Sequence, residues 1–194
     1  MAQLRGSPLQ RKSARMLLLV LYCTGLRFGE AARLQVGDLD LPRRILRVRE
    51  SKGRTRLVPF GADLAREFGR YLRQRGPSAL SLEAPLIISF QGKSLSTNLI
   101  SWVVRQWLRK AGMKSDYGRI GPRPYDLRHS FAVHRLSRWY LQGIAVAERL
   151  PWLSVYMGHL NLLGTETYLT TTPELPALAS RRFEARFRRR QTPI

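Results

Sequence analysis

The sequence predicts a mainly α-helical domain with one small three-stranded antiparallel sheet, an α+β fold. Three observations predict it. Apolar residues recur at helical spacing over most of the 194 residues. Between positions 38 and 60 the period changes to two, as in strands that bury one face. Glycine and proline fall where the periodic runs stop.

The elements follow in order. Residues 1–9 lack periodicity and read as a loose end. Residues 10–22 read as a largely buried helix that stops at Gly25, a suitable left-handed cap. Cys23, beside the apolar run of residues 16–22, reads as core. Residues 28–35 form a second, short helix. Residues 38–41, 45–50 and 55–60 alternate as the three strands, and Ser51-Lys52-Gly53-Arg54 makes the turn between the last two.

A helix over 63–75 turns Leu64, Phe68, Tyr71 and Leu72 inward and stops at Gly76-Pro77. Residues 86–90 read as a short extended piece. A helix over 96–110 has Leu99, Trp102 and Val103 on its inner side. Residues 113–124 form a basic loop punctuated by Gly and Pro. The chain is helical from Tyr125 to about position 141. Residues 145–157 form one or two helices, with Pro151 at the join. A turn over 161–164 leads into a short helix bearing Tyr168, ended by Pro173. The last helix spans 174–188, with Leu175, Leu178, Ala179 and Phe183 on one side, and residues 189–194 are a tail.

Charge narrows the function. There are 34 basic residues against 13 acidic, a net charge of +21. Such an excess predicts a polyanionic partner and salt-sensitive binding. Five of the basic residues are Lys and the rest Arg, whose planar fork matches phosphate oxygens bidentately. The 44% apolar share excludes a disordered basic tail. One Cys excludes an intrachain disulfide, and the three His with that Cys show no zinc-ligand spacing. The apolar run at 16–22 is much shorter than the roughly 20 residues of a membrane span. A soluble protein in a reducing compartment with nucleic acid is expected.

Five local signatures stand out. They are Cys23-Thr24-Gly25-Leu26-Arg27 followed by Glu30, then Glu50-Ser51-Lys52-Gly53-Arg54, then Tyr125-Asp126-Leu127-Arg128 followed by His129-Ser130-Phe131-Ala132. The last two are Tyr156-Met157-Gly158-His159 and, nine positions after His159, Tyr168. Together and in this order they resemble the catalytic domain of the tyrosine recombinases, the family of phage integrases and chromosome-dimer resolvases. The resemblance spans residues 10–187 and implies that family's mainly helical catalytic-domain fold.

The resemblance also implies a chemistry. Tyr168 would attack a DNA phosphate without a metal or cofactor, giving a 3′-phosphotyrosyl link and a free 5′-hydroxyl. Arg27 and Arg128 would meet the charge on the non-bridging oxygens. Lys52 would protonate the leaving 5′-oxygen, with Arg54 and Arg56 as rivals nearby. His159 would bond a non-bridging oxygen or assist the tyrosine proton. Glu30, one turn from Arg27, would orient that guanidinium. One position departs from the pattern: Tyr125 stands where the family usually has His. Its phenol can donate a hydrogen bond but titrates far from neutral pH, so a slower reaction or a shifted pH profile is expected. The exposed basic residues, among them Arg43, Arg44, Arg47, Arg105, Arg109, Lys110, Lys114, Arg119 and Arg123, would grip the DNA backbone.

Site-specific DNA recombination is the leading reading. A relaxing enzyme of the type IB topoisomerase kind and a non-catalytic DNA-binding protein of the same fold are the alternatives. The resemblance implies double-stranded DNA as partner and a homotetramer on DNA with exchange of the C-terminal helix. It further implies a monomer without DNA, accessory DNA-bending proteins as possible partners, and a cytoplasmic, nucleoid-associated place in a prokaryotic cell or mobile element. The chain has no room for the N-terminal core-binding domain of many family members. It reads either as an excised domain or as a short recombinase.

Overall fold

The computed structural model describes residues 8–51, 53–89, 91–117, 120–159 and 161. By internal contacts the chain divides into two compact units, Met1–Arg128 and His129–Ile194.

The first unit opens with α1, Pro8–Thr24. Its buried side chains are Met16, Leu17, Val20, Leu21 and Thr24, a single stripe at helical spacing. Cys23 lies about a quarter-turn off the centre of that stripe and is exposed, which corrects its expected place in the core. Gly25 ends the helix at φ +63, and its N–H bonds the Leu21 carbonyl at 3.0 Å. α2, Phe28–Arg33, begins after the three residues that follow α1.

The sheet has the order β1 (Leu39–Asp40), β2 (Ile45–Ser51), β3 (Arg54–Pro59), all antiparallel, as the sequence predicts. Leu46 pairs with Val58 and Val48 with Arg56. Leu46, Val48 and Val58 are buried, whereas Leu57 is exposed. The two-residue period thus gives one inner and one outer face, and Arg56 shares the inner one.

α3, Ala62–Arg75, buries Leu64, Phe68 and Tyr71. It packs on α1, and the Tyr71 hydroxyl bonds the Ser13 hydroxyl at 2.9 Å while accepting the Ile88 N–H at 3.2 Å. Leu86, Ile87 and Ile88 are buried in an extended stretch that bonds the chain after α2, with the Leu86 N–H on the Leu34 carbonyl at 2.8 Å. The approach is close at Gly37, where a Cβ would sit 3.1 Å from the Leu82 carbonyl oxygen and would push the neighbouring chain away by a few tenths of an ångström.

α4, Thr97–Lys110, is capped by the Ser96 hydroxyl, which accepts the Leu99 N–H at 3.1 Å. Its buried residues are Ile100, Val103 and Val104. Trp102, expected inside, is 43% exposed. It lies about 200° around the helix from Ile100, so the two cannot share a face.

The division between the units falls within α5, Asp126–Leu141. In the second unit Phe131, Ala132 and Leu136 pack with Val146, Leu150, Leu153 and Met157 of α6, Val146–Met157. Phe131 stacks on Tyr156 with ring centroids 5.5 Å apart. Pro151 lies inside α6, which runs through it as one helix. Pro151 and Ala147, whose carbonyl loses its helical partner there, are both exposed, so water can satisfy that carbonyl. Gly158 ends α6 at φ +69, and the His159 N–H bonds the Ser154 carbonyl at 3.0 Å. The expected helices around Tyr168 and over 174–188 lie outside the described residues.

Candidate functional site

Arg27 stands just past the α1 terminus, where the left-handed Gly25 turns the chain out of the helix. Its side chain is 21% exposed. Its backbone N–H donates to Glu30 Oε2 at 2.8 Å and its Nη1 to Glu30 Oε1 at 2.9 Å. Glu30 is the third residue of α2, so one carboxylate both caps the helix entry and grips the preceding side chain.

Glu30 is itself buried, and a second arginine reaches it. Arg56 Nη1 donates to Oε1 and Nη2 to Oε2, both at 2.9 Å, in a two-pronged pair. Sequence reasoning treated Arg56 only as a rival to Lys52. The available signal was strand phase: Val58 and Arg56 are two apart and must face the same way. Removing a carboxylate buried in this manner costs about 3–5 kcal/mol, because two guanidiniums are then left facing each other.

Arg128 occupies the first turn of α5 and is 3% exposed. Its Nη1 donates to the Gly25 carbonyl at 2.6 Å. The first unit therefore draws Arg128 to the loop that ends in Arg27. Tyr125 precedes α5 by one residue, and its carbonyl accepts the Arg128 N–H at 3.1 Å. Its ring stays out, 55% exposed. Tyr125 thus sits at the helix entry rather than on a helix face, because Asp126 opens the helix by accepting the Arg123 N–H at 2.8 Å.

His159 is half-buried at the end of α6 in the second unit. Lys52 and Tyr168 lie outside the described residues, as does Arg119. Ser51 and Arg54 pair on either side of the turn, where Gly53 takes φ +76. Of the basic residues expected on the surface, Arg43, Arg44, Arg47, Lys110 and Arg123 are exposed, and Arg105 and Arg109 are half-buried. Lys114 is a correction. It is 9% exposed and its ammonium donates to the Ile120 carbonyl at 3.0 Å, so it closes its own loop instead of facing outward. Its four-carbon stem can bury while the head finds a carbonyl, a contact no sequence period announces. Among the described residues no His, Cys, Asp and Glu cluster could hold a metal ion, and no helix is long and apolar enough to cross a membrane.

Residues 2–174 match the phage integrase family. The y4rE protein of Sinorhizobium fredii is 38% identical over 179 residues, covering 91% of this chain and 57% of that protein. Tyrosine recombinase XerA of Thermococcus kodakarensis is 32% identical over 170 residues, covering 86% of this chain and 54% of that protein. The chain spans about half the length of the curated relatives it matches. In fold it is similar to a crystal structure of XerA recombinase, with a TM-score of 0.69 at 22% identity over 94% of this chain and 58% of that one. It is also similar to XerH recombinase bound to its difH substrate, with a TM-score of 0.67 at 20% identity over 90% of this chain and 47% of that one. The family match over residues 2–174 places the chain in the phage integrase family, and its mainly helical fold with a small sheet is similar to that of XerA recombinase.

Proposed function

We propose that this chain cuts and rejoins DNA for site-specific recombination. The observation that supports it most is the tie between Arg128 and Gly25, two residues before Arg27. It gathers two distant arginines in one unit, as an anionic transition state requires.

Tyr168 gives up its proton to solvent and attacks the scissile phosphorus, and the bond to the 5′-oxygen breaks. Lys52 gives that oxygen a proton, leaving a 5′-hydroxyl and a 3′-phosphotyrosyl link. His159 and the Tyr125 phenol hydrogen-bond the non-bridging oxygens. Arg27 and Arg128 neutralise the charge gathering there and favour the phenolate of Tyr168. The reverse attack by a second strand's 5′-hydroxyl breaks the bond to Tyr168 and returns its proton. Bond energy is kept in the intermediate, so no nucleotide cofactor is consumed. Double-stranded DNA is the substrate, held by the exposed arginines. Four copies assemble on it through the segment after Pro173, and the chain is monomeric without it.

The test is covalent trapping on nicked duplexes from a random pool, run with the wild type and Tyr168→Phe. A denaturation-resistant protein–DNA band that is lost in Tyr168→Phe and persists in EDTA is the expected result. DNA binding without any band, even after Tyr125→His, would overturn the reading in favour of a DNA-binding protein that keeps the fold without the chemistry.

A further inference from the structure

The sharing of Glu30 between two arginines goes beyond that reading while resting on it. Strand phase drives Arg56 inward: Val58 is fully buried, Leu57 is 59% exposed, and Arg56 is paired opposite buried Val48. A guanidinium in such a place needs a matched anion, and the fork on Glu30 supplies it.

The consequence falls on Arg27. Each Glu30 oxygen accepts one bond from Arg56 and one from Arg27. One carboxylate therefore serves two guanidiniums. Of the two cations, Arg27 is the more exposed, 21% against 10% of its side chain. Without Arg56 the carboxylate would lose its two-pronged partner, and Arg27 would lose the orientation that a fixed carboxylate gives it.

We infer that Arg56 is a positioning residue, which acts through Glu30 to hold Arg27 oriented toward a DNA phosphate. A purely structural Arg56 would stitch β3 to α2 and nothing more. The two roles separate in what changes when the fork is lost.

The experiment compares the 194-residue chain with Arg56→Gln, Arg56→Lys, Glu30→Gln and the Glu30→Gln/Arg56→Gln double variant. Two readouts are taken. One is the Arg27 Nε–H signal in a nitrogen-15 spectrum during titration with inorganic phosphate. The other is the single-turnover rate of adduct formation on a nicked duplex selected by the wild type from a random pool, alongside the affinity for that duplex. Arg56→Gln should weaken phosphate binding at Arg27 by roughly threefold to fivefold. It should slow adduct formation by about 10- to 100-fold with the duplex affinity nearly unchanged.

Arg56→Lys keeps a cation in place but lacks the fork. It should show the same direction of change, and it decides the question if Arg56→Gln does not fold. The double variant should be no slower than the slower single variant, since both act on one contact. Phosphate binding at Arg27 unchanged by either Arg56 variant, or losses that add in the double variant, would overturn the inference. If the wild type forms no adduct, the recombinase reading fails, yet the phosphate titration still decides the role of Arg56.

Discussion

Arg128 and Gly25 lie 103 positions apart, and the guanidinium of one donates to the carbonyl of the other at 2.6 Å. The acceptor is the residue whose left-handed turn ends α1 and releases the chain toward Arg27. A buried cation thus donates to the chain just past a helix terminus. Arg128→Ala should lower stability by about 1–3 kcal/mol, since the Gly25 carbonyl loses its charged donor. It should also slow strand cleavage by about 10²–10³. Chemical denaturation and single-turnover cleavage measure the two. Normal cleavage by a folded Arg128→Ala protein would refute the assignment of Arg128 to the phosphate.

Tyr125 is exposed at the entry of α5. An imidazole in its place would bring a group that titrates near about pH 6.5. Tyr125→His should therefore give the cleavage rate a new limb in that range. The wild-type rate should lack it. A rate–pH profile of both proteins decides this, and superimposable profiles would remove Tyr125 from the reacting centre.

Glu67 accepts hydrogen bonds from Arg15 and from Arg70. The bond from Arg15 is the main cause holding its carboxyl below the usual carboxylate range. A lowered acid pKa stabilises the fold above the unfolded value, and the gain is lost as pH falls through the folded one. Glu67→Gln should melt slightly below the wild type near about pH 7, by less than about 1 kcal/mol for a surface pair. The gap should close on acidification below about pH 4. A gap that widens in acid would contradict the assignment.

Cys23 reaches solvent, yet partial burial, helped by the charge of Asp63, raises its thiol above its ordinary value. The thiolate is the reactive form. Iodoacetamide should therefore modify Cys23 more slowly than a free thiol at about pH 8, and Asp63→Asn should speed the reaction. Mass spectrometry of timed samples reads both rates. Equal rates in the two proteins would leave Asp63 without influence on the thiol.

What was legible in the sequence was what depends on neighbours in the chain. The spacing of Leu64, Phe68 and Tyr71 announced α3, and the alternation from position 45 announced the hairpin. The signatures around Arg27 and Arg128 announced the family. Contacts made across the fold were not legible. The same helical period that marks α4 admits two phases, and the phase that puts Trp102 outside was set by packing around Ile100 and Val104. Lys114 turned inward for a carbonyl six residues on. The pairing of Arg56 with Glu30 joins residues 26 apart, on a strand and a helix. Only the strand's phase hinted that Arg56 needed a partner.

The two faces of the hairpin also set which of its positions tolerate change. Arg47, Thr55 and Leu57 point outward, with Arg47 and Leu57 directly paired. Val48, Arg56 and Val58 face in, where packing and the Glu30 fork fix their identity. A combinatorial library on the outward trio should yield mostly folded proteins. One on the inward trio should yield few folded clones, most of them keeping Arg56.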